Sequence, residues 1–525
     1  MAYDTIVIGA GVGGLYAAAK LARAGLKVLV LEKNPHIGGT SYLFRRGGYS
    51  FPMGPLAFGY PGRVESFMED ISLEDEIEFR RNHFQLIAPD LDIVYSQPLA
   101  GLEEDLRLLF PEESDGLRRV FAEMRKILNA VKGRAFGSPL ARGLYPRAST
   151  AEVDPRVKPG APAAVESTEE PVVIPAASAS PILAWASTSS RPLLESQISN
   201  AILRNLIGSM GTEPPDMSLL NLSLTWRVMS EVGIWFPSIG IHGLCRRMAA
   251  AVGFSGGEIR TGEPVTKILV AGGRAVGVLT ARGVELRASH VVSNADYKKT
   301  FLELIAPEDV PPDHLALVRD TPYTESELCV YCGVKPGRVD FRRMRATHLF
   351  YRRVIRPDAD RKADDFDNME IEVCRFSDDA PETVPKGRAS LVLRVPFAYE
   401  AVAAWRAGEK KRKAGYCEEK NRLVWKLIRT VETVLPGLAD AVEIIDAATP
   451  LTYRDWGQRT LGSIAGWSWS PETAAGFRDR LLVRTPVDRL YAAGVYAARE
   501  LFLGGVPTAL YTGSLAADLI IHASV

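Results

Sequence analysis

Residues 4–32 read DTIVIGAGVGGLYAAAKLARAGLKVLVLE, an unbroken strand–turn–helix–strand pattern. Residues 5–8 are a short apolar run of the kind that forms a buried parallel strand. Gly9, Gly11 and Gly14 follow at G-x-G-x-x-G spacing, with Gly13 inside the same turn. The first glycine permits the tight turn, the second lets backbone approach a pyrophosphate, and the third lets the helix pack close on the strand. A helix runs to Ala24, where Gly25 stands as a C′ residue. Residues 28–31 form a second strand, and Glu32 at its tip is placed to accept hydrogen bonds from an adenosine ribose. Strand, glycine turn, helix and acid agree with one another, and together they predict a bound dinucleotide.

A nicotinamide dehydrogenase would normally continue into another βα unit. Here residues 36–41, HIGGTS, bring a second glycine pair instead, and residues 44–55, FRRGGYSFPMGP, an aromatic and glycine-rich strand. That arrangement resembles the flavin-containing amine oxidase superfamily, in which the second glycine pair lies along FAD. Within it the chain is most similar to the phytoene desaturase, carotenoid isomerase and retinol saturase group. The Gly-Gly-Thr-Ser form lacks the arginine that desaturases and amine oxidases usually carry after the pair, which favours the isomerase and saturase branch. Two distant blocks extend the resemblance. Residues 236–244, FPSIGIHGL, match the family's Tyr-Pro-x-Gly-Gly segment and lead into a strand-rich stretch over 258–292 with a turn at Gly272 and Gly273. Residues 490–494, LYAAG, and 504–507, GGVP, precede a last helix. In the family that helix points its N-terminus at the isoalloxazine, where its dipole stabilises negative charge.

The resemblance implies an α/β fold: a discontinuous Rossmann-type FAD-binding domain with an inserted α+β substrate domain. The expected pieces are residues 1–62, 230–297 and 441–525 for the FAD-binding domain, and 63–229 and 298–440 for the substrate domain. It implies noncovalent FAD held by Gly9, Gly11, Gly13, Gly14, Glu32, Lys33, Gly38, Gly39, Thr40, Gly54, Pro55, Val265, Gly494, Gly505 and Val506. It also implies a lipophilic polyene or isoprenoid substrate. Departures stand beside the matches: Val495 occupies the place of a usual Asp, and Ile239 and His242 stand where glycine is common.

Composition bounds the rest. Lys+Arg and Asp+Glu both total 63 in 525 residues, so there is no basic field to attract nucleic acid. Five cysteines argue against a disulfide framework and for a reducing compartment. The first strand begins almost at Met1, so residues 6–19 are a βα core rather than a signal peptide. No charge-free apolar run reaches the length of about 18 residues that a membrane-spanning helix needs. A cytoplasmic protein is expected.

Residues 146–192 break the pattern. They are rich in Pro, Ala and Ser, and their prolines exclude a continuous helix and disfavour a sheet. The stretch reads either as a flexible surface insertion or as a membrane-contacting element built on Val172, Val173, Ile174, Ile182, Leu183 and Trp185. Cys329 and Cys332 have metal-like spacing, but residues three apart on a strand face opposite sides and no second pair exists. Arg342, Arg343, Arg345, Arg352, Arg353 and Arg356 form a loose basic cluster, read as a solvated face before an anion site. Lys410–Lys413 reads as a solvated helix end or loop, and residues 421–434 as an amphipathic helix.

His242 is the one histidine near the expected flavin site, and its imidazole can exchange a proton or simply bond a backbone carbonyl. The remaining chemistry belongs to the cofactor. Three functions are open: a flavin enzyme acting on carbon–carbon double bonds, an amine or porphyrinogen oxidase of the same fold, or a prenyl-binding escort without redox activity. Intact cradle glycines and Glu32 disfavour the last.

Overall fold

A computed structural model describes residues 3–73, 77–95, 98–134, 181–209, 217–356, 362–468, 470, 481–499 and 504–524. Two sheets organise the chain. Strand Tyr3–Ile8 lies at the centre of the first, because its side chains are buried on both faces toward its C-terminal end. It pairs in parallel with Val28–Glu32 and with Glu285–Ser293. Glu258–Thr261 and Leu490–Ala492 extend the parallel sheet on its two sides. The nine-residue strand Glu285–Ser293 has two lives: its second half joins the parallel sheet, and its first half closes an antiparallel meander with Val265–Ala271 and Arg274–Thr280. The meander turns at Gly272 and Gly273, both at positive φ.

Helix Val12–Arg23 crosses one face of this sheet, and Gly25 at φ +85° ends it in the left-handed conformation. The helix Gly505–Ser524 packs along it. A Cβ on Gly13 or Gly513 would collide with backbone of the other helix, so these two glycines set the separation.

The second sheet runs, in order, Val442–Ala448, Glu327–Val334, Ala389–Pro396, Ile371–Cys374, His348–Tyr351, Phe84–Ala88 and Leu91–Tyr95. Glu327–Val334 is buried at every residue, as a strand covered on both faces must be. Helix Tyr416–Glu432 covers one face with Leu423, Val424, Leu427, Ile428 and Val431, the stripe its spacing predicts. Cys329 and Cys332 face different cores across this strand, which removes them as a ligand pair. Helices Leu99–Leu109, Ser114–Arg134, Ala201–Ser209 and Leu219–Arg227 form a further layer, anchored by Trp226, whose indole N–H donates to Ile207 O at 2.7 Å.

The expected piece boundaries move at three places. Helix Pro61–Asp70 puts Val64 and Met68 into the core of the first sheet, and Tyr16 Oη donates to Asp70 Oδ2 at 2.7 Å, so the first piece runs past residue 62. Tyr297, Phe301 and Val318 share that core, so the second piece runs past 297. Strand Val442–Ala448 belongs to the second sheet, so the last piece starts after 448. The cause is common to all three: an amphipathic element buries its apolar face on the nearest sheet, and composition does not show which sheet is nearest.

Most of the proline-rich stretch, with Val172, Val173 and Ile174, lies outside the described residues, as do the side chains of Ile182 and Leu183. Its described end corrects the expectation. Pro181–Ala186 is a helix, because proline at a first helical position gives up no hydrogen bond. Ala186 is buried, and Trp185 packs against the helical core with Lys126 Nζ 5.7 Å from its ring centre. The arginine cluster is largely paired: Arg342 with Asp340, Arg345 with Asp92, Arg353 with Asp367 and Arg356 with Asp365.

Candidate active site

The site grows from the carboxyl ends of the parallel strands, where ligands of open α/β sheets bind. Gly9, at φ +94°, donates its N–H to Leu31 O at 2.8 Å and turns the chain toward helix Val12–Arg23. Glu32 is buried at the tip of its strand. Its carboxylate accepts from Ala10 N–H at 2.8 Å and from Asn34 N–H at 2.9 Å. A carboxylate has about four acceptor positions, so two remain for ribose hydroxyls while the other two hold the glycine turn in shape.

The glycine turn is closed by Asn294, which follows the strand Glu285–Ser293. A Cβ on Gly11 would meet Asn294 Nδ2 at 2.8 Å. On Gly13 it would meet Gly494 N at 2.7 Å, Ala509 O at 2.8 Å and Asn294 Oδ1 at 2.9 Å. Five glycines, Gly9, Gly11, Gly13, Gly14 and Gly494, thus converge on one amide side chain. Sequence reasoning passed over Asn294, although its place at a strand end beside the switch in strand order was available as a signal.

The second glycine pair folds back on the first: Gly38 N–H donates to Ala10 O at 2.8 Å, and Gly38 and Gly39 both have positive φ. Gly54 packs so closely on Thr40 that an added Cβ would meet Thr40 O at 2.8 Å. Arg459 was not foreseen. It donates to Thr40 Oγ1 at 3.1 Å and to Ile464 O at 2.7 Å, bringing a guanidinium to a glycine pair that no arginine follows in sequence.

A cavity of about 1390 Å³ opens over these residues. Every expected FAD-lining position borders it except Gly14, which instead packs the helix on Gly9 O. The volume exceeds the range of about 300–1000 Å³ usual for one drug-sized ligand, leaving room for a cofactor and a substrate together. One end has a glycine floor, the buried Glu32 carboxylate and the N-termini of two long helices, Val12–Arg23 and Gly505–Ser524. Bare backbone, an acid for a ribose and two positive helix ends fit a dinucleotide pyrophosphate. Lys33 closes this end, with Nζ donating to Trp456 O at 2.5 Å. Burial pushes its ammonium down to about 8, against the pull of Glu32.

Lys410 and Arg412 also line the cavity, in a stretch expected to be a solvated helix end or loop. Arg406–Gly408 and Lys411–Arg412 pair as a short hairpin, and Arg412 meets Asp455 at 2.6 Å.

The far end is apolar, with Leu224, Val228, Met229, Ile234 and Phe44 around it. Among the polar side chains of the lining, Glu327, Tyr331, Arg394 and Tyr453 form one connected group on or beside the second sheet. Tyr453 Oη donates to Glu327 Oε1 at 2.5 Å, and both are buried. Burial, reinforced by Glu327, holds the Tyr453 hydroxyl well above its ordinary pKa, so it keeps its proton. Burial alone would lower Arg394, but Glu327 and Glu372 hold its guanidinium charged. Arg394 donates to Gly54 O, which ties this group to the glycine floor. Glu327 and Tyr331 share one strand, but Arg394 comes from the strand Ala389–Pro396 and Tyr453 from the helix Pro450–Gly457, so no local motif announced the group.

His242 is placed elsewhere. It lines a smaller cavity of about 460 Å³ that shares Thr40, Ser41, Tyr42 and Pro55 with the large one as a common wall. Its Nδ1 is buried with no hydrogen-bond partner, and a Cβ on Gly38 would approach that atom to 3.0 Å. Burial, then Arg246 and His36, lower its pKa. Its position supports the Gly38 turn from behind.

The family model described as flavin containing amine oxidoreductase matches residues 12–521, nearly the whole chain. The chain belongs to this family. Its cofactor is FAD, and the glycine floor, Glu32 and the paired helix ends border the cavity that fits it. This flavin oxidoreductase is 25% identical to the chloroplastic prolycopene isomerase of Daucus carota, over 94% of this chain and 76% of that protein. It is 24% identical to the all-trans-retinol 13,14-reductase of Danio rerio, over 99% of this chain and 86% of that protein. A solved oxidoreductase from Methanosarcina mazei shares the fold with a TM-score of 0.61 at 17% identity, covering 98% of this chain and 99% of its own.

Proposed function

We propose that this flavin oxidoreductase acts on carbon–carbon double bonds of a lipophilic polyene or isoprenoid, with isomerisation or saturation favoured over desaturation. The observation that carries the reading is the lining of one cavity, which joins a glycine floor and Glu32 to apolar Leu224, Val228, Met229 and Ile234 and to a buried Tyr453–Glu327 pair with Arg394 beside it. A long hydrocarbon needs an apolar wall and few polar contacts. Relatives of both kinds, an isomerase of prolycopene and a reductase of retinol, support the same substrate class.

When bound, FAD supplies the redox exchange with the double bond. The chain's own residues bind, orient and shield. Leu224, Val228, Met229 and Ile234 exclude water from the chamber. Tyr453 holds a proton at Oη, and Glu327 both fixes its direction and is able to take its place as acceptor. Arg394 fixes this pair against Gly54 O and offsets its charge. His242, behind the Thr40–Tyr42 wall, has no path into the chamber and serves as a positioning residue for Gly38.

A hydrocarbon substrate also requires delivery. Trp456, Leu461 and Ile464 stand exposed on the segment that borders the cavity, and we assign them to peripheral membrane contact. No helix among the described residues is long and apolar enough to cross a membrane.

The test is turnover of prolycopene and of all-trans-retinol by chemically reduced holoenzyme without oxygen, with products separated by chromatography. Conversion of either polyene is expected, with little from the oxidised enzyme. Tyr453→Phe should lower the rate by about 100-fold or more at unchanged flavin content, the scale of a lost general acid, while His242→Ala stays near wild type. Unchanged polyenes together with oxidation of primary amines would overturn the reading. Turnover only by oxidised enzyme with an added quinone would overturn its direction.

A further inference from the structure

Three residues that neither cavity touches come together behind the second sheet. His348 opens the strand His348–Tyr351, and Cys374 ends the neighbouring strand Ile371–Cys374. The antiparallel register sets them directly opposite one another. Asp379 arrives from the helical turn Phe376–Asp379 that follows. All three are buried, and one ligating atom from each lies within 4.8 Å of the others. His348 Nε2 is 3.5 Å from Cys374 Sγ and 3.9 Å from Asp379 Oδ2. A tetrahedral zinc ion, with Zn–S near 2.3 Å and Zn–N and Zn–O near 2.1 Å, separates its ligands by about 3.3–3.6 Å.

The imidazole is already oriented for ligation. Glu372 Oε1 lies 3.1 Å from His348 Nδ1, and a carboxylate only accepts, so Nδ1 carries the hydrogen and Nε2 presents its lone pair to the cluster. A carboxylate behind a histidine is the arrangement that fixes tautomer and ring direction at metal centres. Asn82, at the end of strand Phe79–Asn82, sets Nδ2 at 2.9 Å from His348 Nε2 and 3.0 Å from Asp379 Oδ2, between two of the ligand atoms. A half-turn of its amide exchanges this donor for the acceptor Oδ1, which completes a fourth ligand.

We propose that His348, Cys374 and Asp379, with Asn82 as the fourth ligand, bind a zinc-class divalent cation. An imidazole, a thiolate and a carboxylate select zinc over magnesium or calcium, which prefer oxygen alone. Binding releases the Cys374 thiol proton to solvent as the sulfur–metal bond forms. Without a cation, burial pushes the Cys374 thiol and the Asp379 carboxyl up, an effect that a dication opposes. The site pins strand Phe79–Asn82, two strands of the second sheet and the turn after them at one point. It lies apart from the cavity, so the cation is structural and takes no part in the flavin reaction.

The experiment uses holoenzyme expressed with zinc or with cobalt in the medium, in a Cys417→Ser background that removes the exposed thiol. We expect about one metal per chain by elemental analysis. The cobalt form should show thiolate-to-cobalt charge transfer and the strong ligand-field bands of four-coordinate cobalt, in the red where flavin does not absorb. Cys374→Ser should abolish the charge-transfer band, and Glu372→Gln should weaken zinc binding by about 10- to 100-fold, as loss of a partner behind a ligand does. Should Cys374→Ser fail to fold, the background protein's cobalt spectrum decides alone, because no other such cluster occurs among the described residues. Metal-free protein from both media would overturn the proposal, as would a cobalt spectrum that survives Cys374→Ser.

Discussion

At Gly13 three distant parts of the chain meet one α-carbon: Gly494 N, Ala509 O and the side chain of Asn294. Two of the three contacts are backbone and cannot rotate away. Gly13→Ala must therefore push the first and last helices apart, at a cost of about 1–3 kcal/mol typical of overpacking. The expected result is a lower melting temperature and loss of bound FAD on gel filtration. A variant that keeps its flavin would mean the helix contact has slack. The G-x-G-x-x-G spacing makes Gly9, Gly11 and Gly14 readable from sequence, because their roles are local. The contacts of Gly13 and the place of Asn294 are not readable that way, since they depend on residues hundreds of positions away. Glu32 shows a milder form of the same limit: its strand-tip position was evident, its second duty toward Ala10 and Asn34 was not.

At the scale of elements, the tip of strand Val28–Glu32 meets the C-terminal end of helix Pro450–Gly457, where Lys33 bonds Trp456 O. The folded pKa of Lys33, about 8, lies below the value near 10.4 expected unfolded. Between those values the unfolded chain binds the proton that the folded chain does not, so stability rises with pH across that window. Below about pH 8 both states carry the proton, and the burial penalty stands in full. Denaturant melts of cofactor-free protein through this window should rise more steeply for wild type than for Lys33→Met. Equal slopes would show that Lys33 stays charged. The elements themselves were largely legible: the βα unit, the meander turning at Gly272 and Gly273, and the stripe of helix Tyr416–Glu432 all follow from period and punctuation. Cys329 and Cys332 advertised a metal by spacing and face apart, whereas Cys374 advertised nothing and stands opposite His348. Register between strands, invisible in a single segment, made the difference.

For the whole molecule, the large cavity is bordered by Trp456 and Ile464, with Leu461 close by in sequence; the three are 45%, 36% and 46% exposed. If this rim meets lipid, Trp456→Ser, Leu461→Asn and Ile464→Ser together should reduce co-sedimentation with liposomes while flavin content holds. Asparagine suits Leu461 because that residue sits at φ +52°, which asparagine tolerates. Undiminished co-sedimentation would remove the rim from the entry path. The embrace of helix Val12–Arg23 by helix Gly505–Ser524 has a consequence for biosynthesis. A chain emerging from the ribosome presents its glycine turn some 500 residues before Gly513. Until that final helix emerges, half the floor of the flavin site is missing, and the first helix exposes the small-residue face that the last one covers. FAD capture must then wait for that helix. The nascent chain's need for protection falls on that bare face, and a chain truncated before Gly494 should be an aggregating species rather than a weak flavin binder.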